Sequence, residues 1–258
     1  MEILSFDIEG KFAHFRKYYA NNTAFSFGLP PRTTIIGIIA AAMGLEKDSY
    51  YEDFCSEKIR IGTSILSPIK KSFHRLNFLM IKGVADFRGK QKHIQTPFEV
   101  LSGIDPKTDM VSYRIFIAPN SNGTTVFDKI KSVFEKQKFY YSPTLGTANF
   151  IAQIKNITNY RESDFVTKSV NNEYIILDSA CLSKNVQDIS FEKANEYRFN
   201  MLEEELMPAD FLADGNRELK KMNRVLFTTG GVPLKIKLIN NVYILEKNNQ
   251  IQTIQFLD

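Results

Sequence analysis

Arg32, Thr33 and Thr34, at the start of the apolar run that ends at Leu45, are the residues of this 258-residue chain best suited to hold a phosphate. Pro30 and Pro31 stop any preceding element, because proline lacks the backbone donor that a helix or sheet interior needs, so a helix is predicted to begin near Arg32. One of the two threonines then supplies the N-cap, and the first amides, with the positive end of the helix dipole, stand beside a guanidinium and two hydroxyls. An ordinary capped helix with a solvated arginine has the same sequence. Just upstream, Phe12, Phe15, Tyr18 and Tyr19 are interleaved with Arg16 and Lys17. Aromatic rings beside cations stack nucleobases while holding phosphates, as single-stranded nucleic-acid sites do. The same rings also suit a lid packed over the helix, Phe12 above all.

A second chemistry is conceivable at Lys92-His93. A metal-independent ribonuclease uses a histidine as general acid or base, a lysine against the developing phosphorane charge and a tyrosine to orient, and Tyr50, Tyr51 or Tyr113 can fill the last role. Neighbours on a strand point to opposite faces, which weakens that pairing, and the expected reading has no catalytic residue. G-x-S-x-G, H-E-x-x-H and paired-carboxylate signatures are missing. Cys55 and Cys181 are far apart with no C-x-x-C or Cys/His cluster, so neither a disulfide framework, a metal site nor a cofactor is expected.

The net charge of +4 says little, but its distribution is uneven. Gly10 to Leu45 carries four cations and no acid, and Lys70 to His93 carries seven cations against Asp86 alone, so the rest of the chain is acidic. A basic surface on an acidic protein is the footprint of a phosphate-backbone partner, although a solvated charged hairpin gives the same pattern. The N-terminus has neither a basic leader nor a long apolar run, and no stretch is long enough to span a bilayer, so a cytoplasmic protein with no membrane partner is expected.

Several elements must position these residues. Ile3 to Ile8 alternates as a half-buried strand, with Ser5 and Asp7 on the polar side. Ile35, Ile36, Ile38, Ile39, Met43 and Leu45 leave the first helix no polar face, so it is expected in an interior, closed by Gly44 as left-handed C-cap. Strands at Ile59 to Ile65 and Val111 to Ile117, a helix at Val126 to Lys136 and a strand within Tyr140 to Ile154 complete a β-α-β-β-α-β unit. Two extended arms, Ser72 to Lys82 and His93 to Leu101, project with apolar residues near the base and Lys82, Arg88, Lys90 and Lys92 about the tip. After about Asn156 short strands and turns at Gly230-Gly231, Asn240-Asn241 and Asn248-Asn249 suggest a meander. Glu192 to Asp214 reads as an acidic helix and loop, either a solvated surface or a face for a basic partner. The fold class is therefore α+β: a ferredoxin-like (RRM-like) domain over 1–155 with a basic hairpin insertion at about 66–110, then a smaller, mainly antiparallel-β domain over 156–258.

The segment FDIEGKFAHFRKYYANNTAFSF followed by GLPPRTTIIGIIAAAMGL resembles the N-terminal motif of the CRISPR-associated Cas-five family. The resemblance runs through a first strand, a Gly10-x-x-Ala13-x-Phe15-Arg16 turn, Pro-Pro-Arg-Thr-Thr and the Gly37-containing helix. It covers the chain to about residue 55, with weaker echoes at HIQTPFEV (93 to 100), SYRIFIA (112 to 118) and YSPTLGTANF (141 to 150). It implies a non-catalytic RNA-binding subunit of a type I effector complex (Cascade), closest to type I-B, that caps the 5′ handle of the CRISPR RNA in antiviral defence. It also implies contacts to the backbone and large subunits, with target DNA open as a further partner. The inserted arm corresponds to the family's thumb-like hairpin. The RNA-binding residues implied are Phe15, Arg16, Lys17, Arg32, Thr33, Thr34, the arm cations and a glycine loop holding Gly146, Thr147 and Asn149. One branch of the family, type I-C, cuts precursor RNA, so a metal-independent endoribonuclease using Lys92 and His93 stays open. An unrelated ferredoxin-like RNA-binding protein stays open too, because that fold hosts many functions.

Overall fold

The computed structural model describes residues 1–89, 92–170, 172–191 and 201–258, a mixed α/β structure of mostly antiparallel sheets with two α-helices among those residues. Strand β1 (Ile3–Gly10) leads to α1 (Arg32–Met43) and β2 (Ile59–Ile65). A projecting hairpin, β3 (Lys70–Leu79) and β4 (His93–Ser102), precedes β5 (Val111–Pro119), α2 (Thr124–Lys136) and β6 (Ala152–Tyr160). The central sheet has the order β2-β5-β1-β6, every neighbour antiparallel, with Phe6 opposite Ile115 and Ile8 opposite Ile154. The β-α-β-β-α-β succession is thus present with its insertion.

Both faces of this sheet are covered. Leu4, Phe6 and Ile8 pack with Ile35, Ile36 and Ile39 of α1 and with Phe127, Ile130 and Phe134 of α2. On the other face Ile3, Phe116 and Tyr160 pack with Leu245, Ile254 and Phe256. That second cover corrects the half-buried reading of β1: Ser5 and Asp7 are buried as well. Asp7 is tolerated there because Arg114 grips it at 2.6 and 2.8 Å and Asn156 donates to it at 2.8 Å.

Helix α1 begins at Arg32 and ends at Gly44, whose φ of 73° is the left-handed conformation glycine adopts without strain. Its N-cap is Pro31 with no side-chain bond, so neither threonine caps it; the backbone carbonyl of Pro31 accepts from Thr34 and Ile35 at 2.9 and 3.0 Å. The helix is not wholly interior: Thr34, Gly37, Ile38 and Ala41 are half-buried.

The arm pairs Lys70 with Ser102 through Leu79 with His93, ten residues a side, and so spans roughly 33 Å at about 3.3 Å per residue. Its apolar residues are not confined to the base. Phe78 and Ile94 face each other exposed, and Val84 and Phe87 are exposed at the tip among the cations.

The remainder is β-rich: β7 (Phe165–Lys168), β8 (Ile175–Leu177), β9 (Val186–Ser190), β10 (Leu202–Phe211), β11 (Leu219–Thr228), β12 (Leu234–Leu238), β13 (Val242–Lys247) and β14 (Gln250–Ile254). Residues 192–200 of the expected acidic helix and loop lie outside the described residues, and Leu202–Phe211 is a strand instead of a helix, long-paired with β11. Met207, Val225, Phe227 and Leu257 enter the same core as α1 and the central sheet, and the boundary expected at 155/156 falls inside β6. The two cysteines are free and buried. No described helix is long and apolar enough to cross a membrane.

Candidate nucleic-acid interface

A groove of about 650 Å³ opens along one side of α1, from Thr33 to Ala41. One wall is the Phe12-to-Tyr18 segment, contributing His14, Phe15, Arg16 and Tyr18, together with the Ser142-to-Thr147 loop bonded to it; the floor is Pro31, Thr33, Thr34, Gly37 and Ala41. Phe78 and Phe98 of the arm and Pro208, Phe211 and Arg217 of the β10–β11 hairpin close the ends. Segments far apart in sequence therefore converge on the exposed side of one helix, whose small Gly37 and Ala41 leave the floor open.

The glycine loop is built into this wall by backbone. His14 donates its amide to the Leu145 carbonyl at 3.0 Å, and Gly146, at φ 97°, lies so close that a Cβ would stand 1.8 Å from the His14 carbonyl oxygen. Only glycine fits that contact and that φ. Thr147 lines the groove, while Asn149 is exposed and does not.

Of the expected phosphate ligands, Arg16, Thr33, Thr34, Gly146 and Thr147 come together here. Arg16 is exposed, with one guanidinium bond to the Ala20 carbonyl at 3.3 Å, and remains a cation facing solvent. Thr33 is nearly buried and Thr34 half-buried.

Three others do not fit the role. Arg32 is 4% exposed, and its guanidinium donates to Asp210 Oδ1 at 2.6 Å and to the carbonyls of Ala209, Phe54 and Ile59 at 3.1, 2.6 and 2.7 Å. Burial lowers its pKa against the opposing pull of Asp210. Lys17 is held at 2.7 Å by the buried Glu205 and lies over the Phe27 ring; burial pulls its pKa down, but the Glu205 bond and charge prevail and raise it. Phe15 lines the groove but is 2% exposed and packed edge-to-face against Tyr113, which leaves little of its ring for a base. Phe12, expected as the lid, is instead the exposed ring, tilted against Phe150. The inward turn of the two cations has one cause: β10, expected as an acidic helix and loop, buries Glu205 and Asp210 beneath the motif and takes Lys17 and Arg32 as partners.

At the arm, Lys82, Arg88 and Lys92 are exposed; Lys90 lies outside the described residues. His93 and Lys92 are both exposed beside the tip, and neither lines the groove. The Tyr113 hydroxyl is buried and donates to the Gly28 carbonyl at 2.9 Å, and Tyr51 donates to Asp48 at 2.5 Å; burial raises the pKa of both. Neither tyrosine is free to orient a phosphate for the Lys92 and His93 pair.

Sequence reading did not place His14, Phe78, Phe211 or Arg217 in the groove. His14 falls at the unspecified position of the Gly10-x-x-Ala13-x-Phe15-Arg16 turn, and Arg217 arrives by bonding Asp48 at 2.9 Å across the fold, which no local pattern signals.

Residues 3–97 match a family model described as CRISPR-associated protein (Cas_Cas5). Among solved structures, a CRISPR protein from Archaeoglobus fulgidus superposes with a TM-score of 0.57 at 13% identity, over 99% of this chain and 100% of that one, which shows a shared fold. A chain of a CRISPR RNA-guided surveillance complex reaches a TM-score of 0.48 at 13% identity, covering 90% of this chain and 91% of that one. No curated protein matches the sequence. Residues 3–97, which carry the first strand, the Pro-Pro-Arg-Thr-Thr segment and most of the arm, are thus similar to the CRISPR-associated Cas5 family.

Proposed function

We propose that this protein is a non-catalytic RNA-binding subunit of a type I CRISPR effector complex (Cascade), nearest to type I-B, that caps the 5′ handle of the CRISPR RNA. The observation that carries the reading is the groove itself. It gathers the N-terminal end of α1, the Thr33 and Thr34 hydroxyls, Arg16 and the Gly146-Thr147 loop on one wall-and-floor arrangement, with exposed aromatic rings of Tyr18 and Phe78 at its margins. Hydroxyls, a helix N-terminus and an exposed guanidinium suit phosphates, and exposed rings suit splayed bases.

In this reading the first unit, through β6, is a ferredoxin-like RNA-binding domain and the β-rich remainder a smaller domain braced against it. The arm, with Lys82, Arg88 and Lys92 beside exposed Val84 and Phe87, reaches to a neighbouring backbone subunit and the guide, and the assembly works in the cytoplasm in antiviral defence. The Cas5 match and the surveillance complex among the similar folds support the choice of partner class. The test is binding of the purified protein to labelled guide RNA with and without its 5′ handle across a salt series. Tighter binding of the handle-bearing RNA, falling steeply with salt, is expected; equal affinity for the two RNAs at every salt concentration overturns the capping role.

A further inference from the structure

We propose that His14 is a specificity-determining residue of the groove, its Nε2 accepting a hydrogen bond from the one donor that an RNA backbone carries, the ribose 2′-hydroxyl. The proposal rests on the RNA-binding reading above and deepens it.

His14 is held from every side. It is 2% exposed, its amide donates to Leu145, and its ring lies on Phe98 with centroids 4.0 Å apart. Its Nδ1 is 2.7 Å from the backbone carbonyl of Glu99. A carbonyl oxygen only accepts, so Nδ1 carries the proton of that bond, and in a neutral imidazole the other nitrogen is then a lone-pair acceptor. Glu99 is itself fixed, its carboxylate accepting the Ser26 amide at 2.7 Å, so tautomer and ring orientation are set before any ligand arrives. Burial disfavours the charged ring, as does the nearby Arg16, against the Glu99 bond that favours it; the net shift is downward, which keeps the acceptor available at neutral pH.

Nε2 is buried and has no partner among the described residues, although His14 lines the groove. A buried unpaired acceptor is unfavourable until something donates to it. Of the other polar groups that line the groove, Arg16 and Arg217 only donate, and the hydroxyls of Thr33, Thr34 and Thr147 donate as well as accept. Those groups meet phosphate oxygens, whereas an imidazole lone pair repels them. Along a ribose-phosphate backbone the phosphates and ring oxygens only accept, and the 2′-hydroxyl alone donates; deoxyribose lacks it. An acceptor among donors is therefore matched to RNA and mismatched to DNA.

The test is a scan of single 2′-deoxy substitutions through the 5′ handle, with wild type and His14→Phe, which keeps an aromatic ring against Phe98 but no acceptor. One deoxy position is expected to weaken wild-type binding about tenfold, as loss of one hydrogen bond to a buried group does. His14→Phe should bind unmodified RNA weaker by a similar factor and lose nothing further at that position. A flat scan with wild type, a deoxy penalty that survives in His14→Phe, or a loss produced only by removing base amines overturns the proposal. If His14→Phe does not fold, imidazole nitrogen resonances of the wild type decide: His14 Nε2 must shift on binding RNA and not on binding the deoxy-substituted handle. Failure of wild type to bind any handle RNA would instead overturn the RNA-binding reading, which separates the two.

Discussion

The Arg32 guanidinium meets the Asp210 carboxylate at 2.6 Å across 178 residues of sequence, both buried beneath the helix whose N-terminus Arg32 begins. Asp210 also accepts the Ser56 amide at 3.0 Å and its hydroxyl at 2.6 Å, so one carboxylate joins the start of α1, the segment before β2 and the β10–β11 hairpin. The arginine that looks like a phosphate ligand is a strut that ties the floor of the groove to the second half of the chain.

Removing one partner of such a pair leaves a buried charge unsatisfied. Arg32→Ala is therefore expected to lower stability by roughly 3–5 kcal/mol in denaturant unfolding, and Arg32→Lys to rescue little, because an ammonium cannot reproduce four fork-directed bonds. Stability within about 0.5 kcal/mol of wild type, with RNA binding lost, would return Arg32 to the role of ligand.

Arg16 and Lys17 are adjacent cations with opposite expected phenotypes. Arg16→Ala removes an exposed charge at the groove, so the melting temperature should hold while handle affinity falls and the salt slope drops by about one. Lys17→Ala strips a bond from buried Glu205, which keeps Lys71 at 3.3 Å and the Gly28 amide at 3.0 Å, so a loss of roughly 1–3 kcal/mol is expected with the salt slope nearly unchanged. Equal salt slopes for the two variants would show that Arg16 does not meet a phosphate.

Much of the fold was legible because its signals are local. Pro30-Pro31 and Gly44 bracket α1, alternation marks β5, and Gly83 and Gly89 flank the tip of an arm whose paired strands the sequence places within three residues. The site was legible only in part. The Gly146 loop and Thr34 line the groove, yet Lys17, Arg32 and Phe15 turn inward because Glu205, Asp210 and Tyr113 claim them. A run of acids reads as solvated unless its partners are known, and here β10 is amphipathic about charges that meet cations nearly two hundred residues away.

Gly146→Ala tests whether the glycine loop is a fixed wall. With φ at 97° and a Cβ 1.8 Å from the His14 carbonyl, the substitution must move the loop or the His14 backbone. A loss of roughly 1–3 kcal/mol is expected, together with weaker handle binding. Gly83→Ala, with open space around its Cβ, serves as the control and should change neither by a measurable amount. A neutral Gly146→Ala would mean that the loop stands away from His14 in solution.

The His14 pKa also gives stability a pH dependence. The folded value lies below that of the unfolded chain, near 6.5 for an unperturbed histidine, so the unfolded state binds the proton first as pH falls. Stability from this residue is complete above that value and declines as pH drops through about 6.5 toward the lower folded pKa. Melting curves from pH 7.5 to 5.5 should therefore fall more steeply for wild type than for His14→Phe. Parallel curves would show that the ring is not held neutral by burial.

The protein should not cut repeat RNA. Cleavage through a 2′-hydroxyl needs a positioned base and charge stabilisation, each worth roughly a hundredfold or more. Here Lys92 and His93 stand exposed beside the arm tip, outside the groove, while Tyr113 and Tyr51 are committed to Gly28 and Asp48. Incubation with labelled precursor RNA in EDTA should leave it intact for wild type and His93→Ala alike, with handle binding equal in both. Single-site cleavage at the base of the repeat hairpin, abolished by His93→Ala, would instead make the arm part of an active site and the protein a processing nuclease.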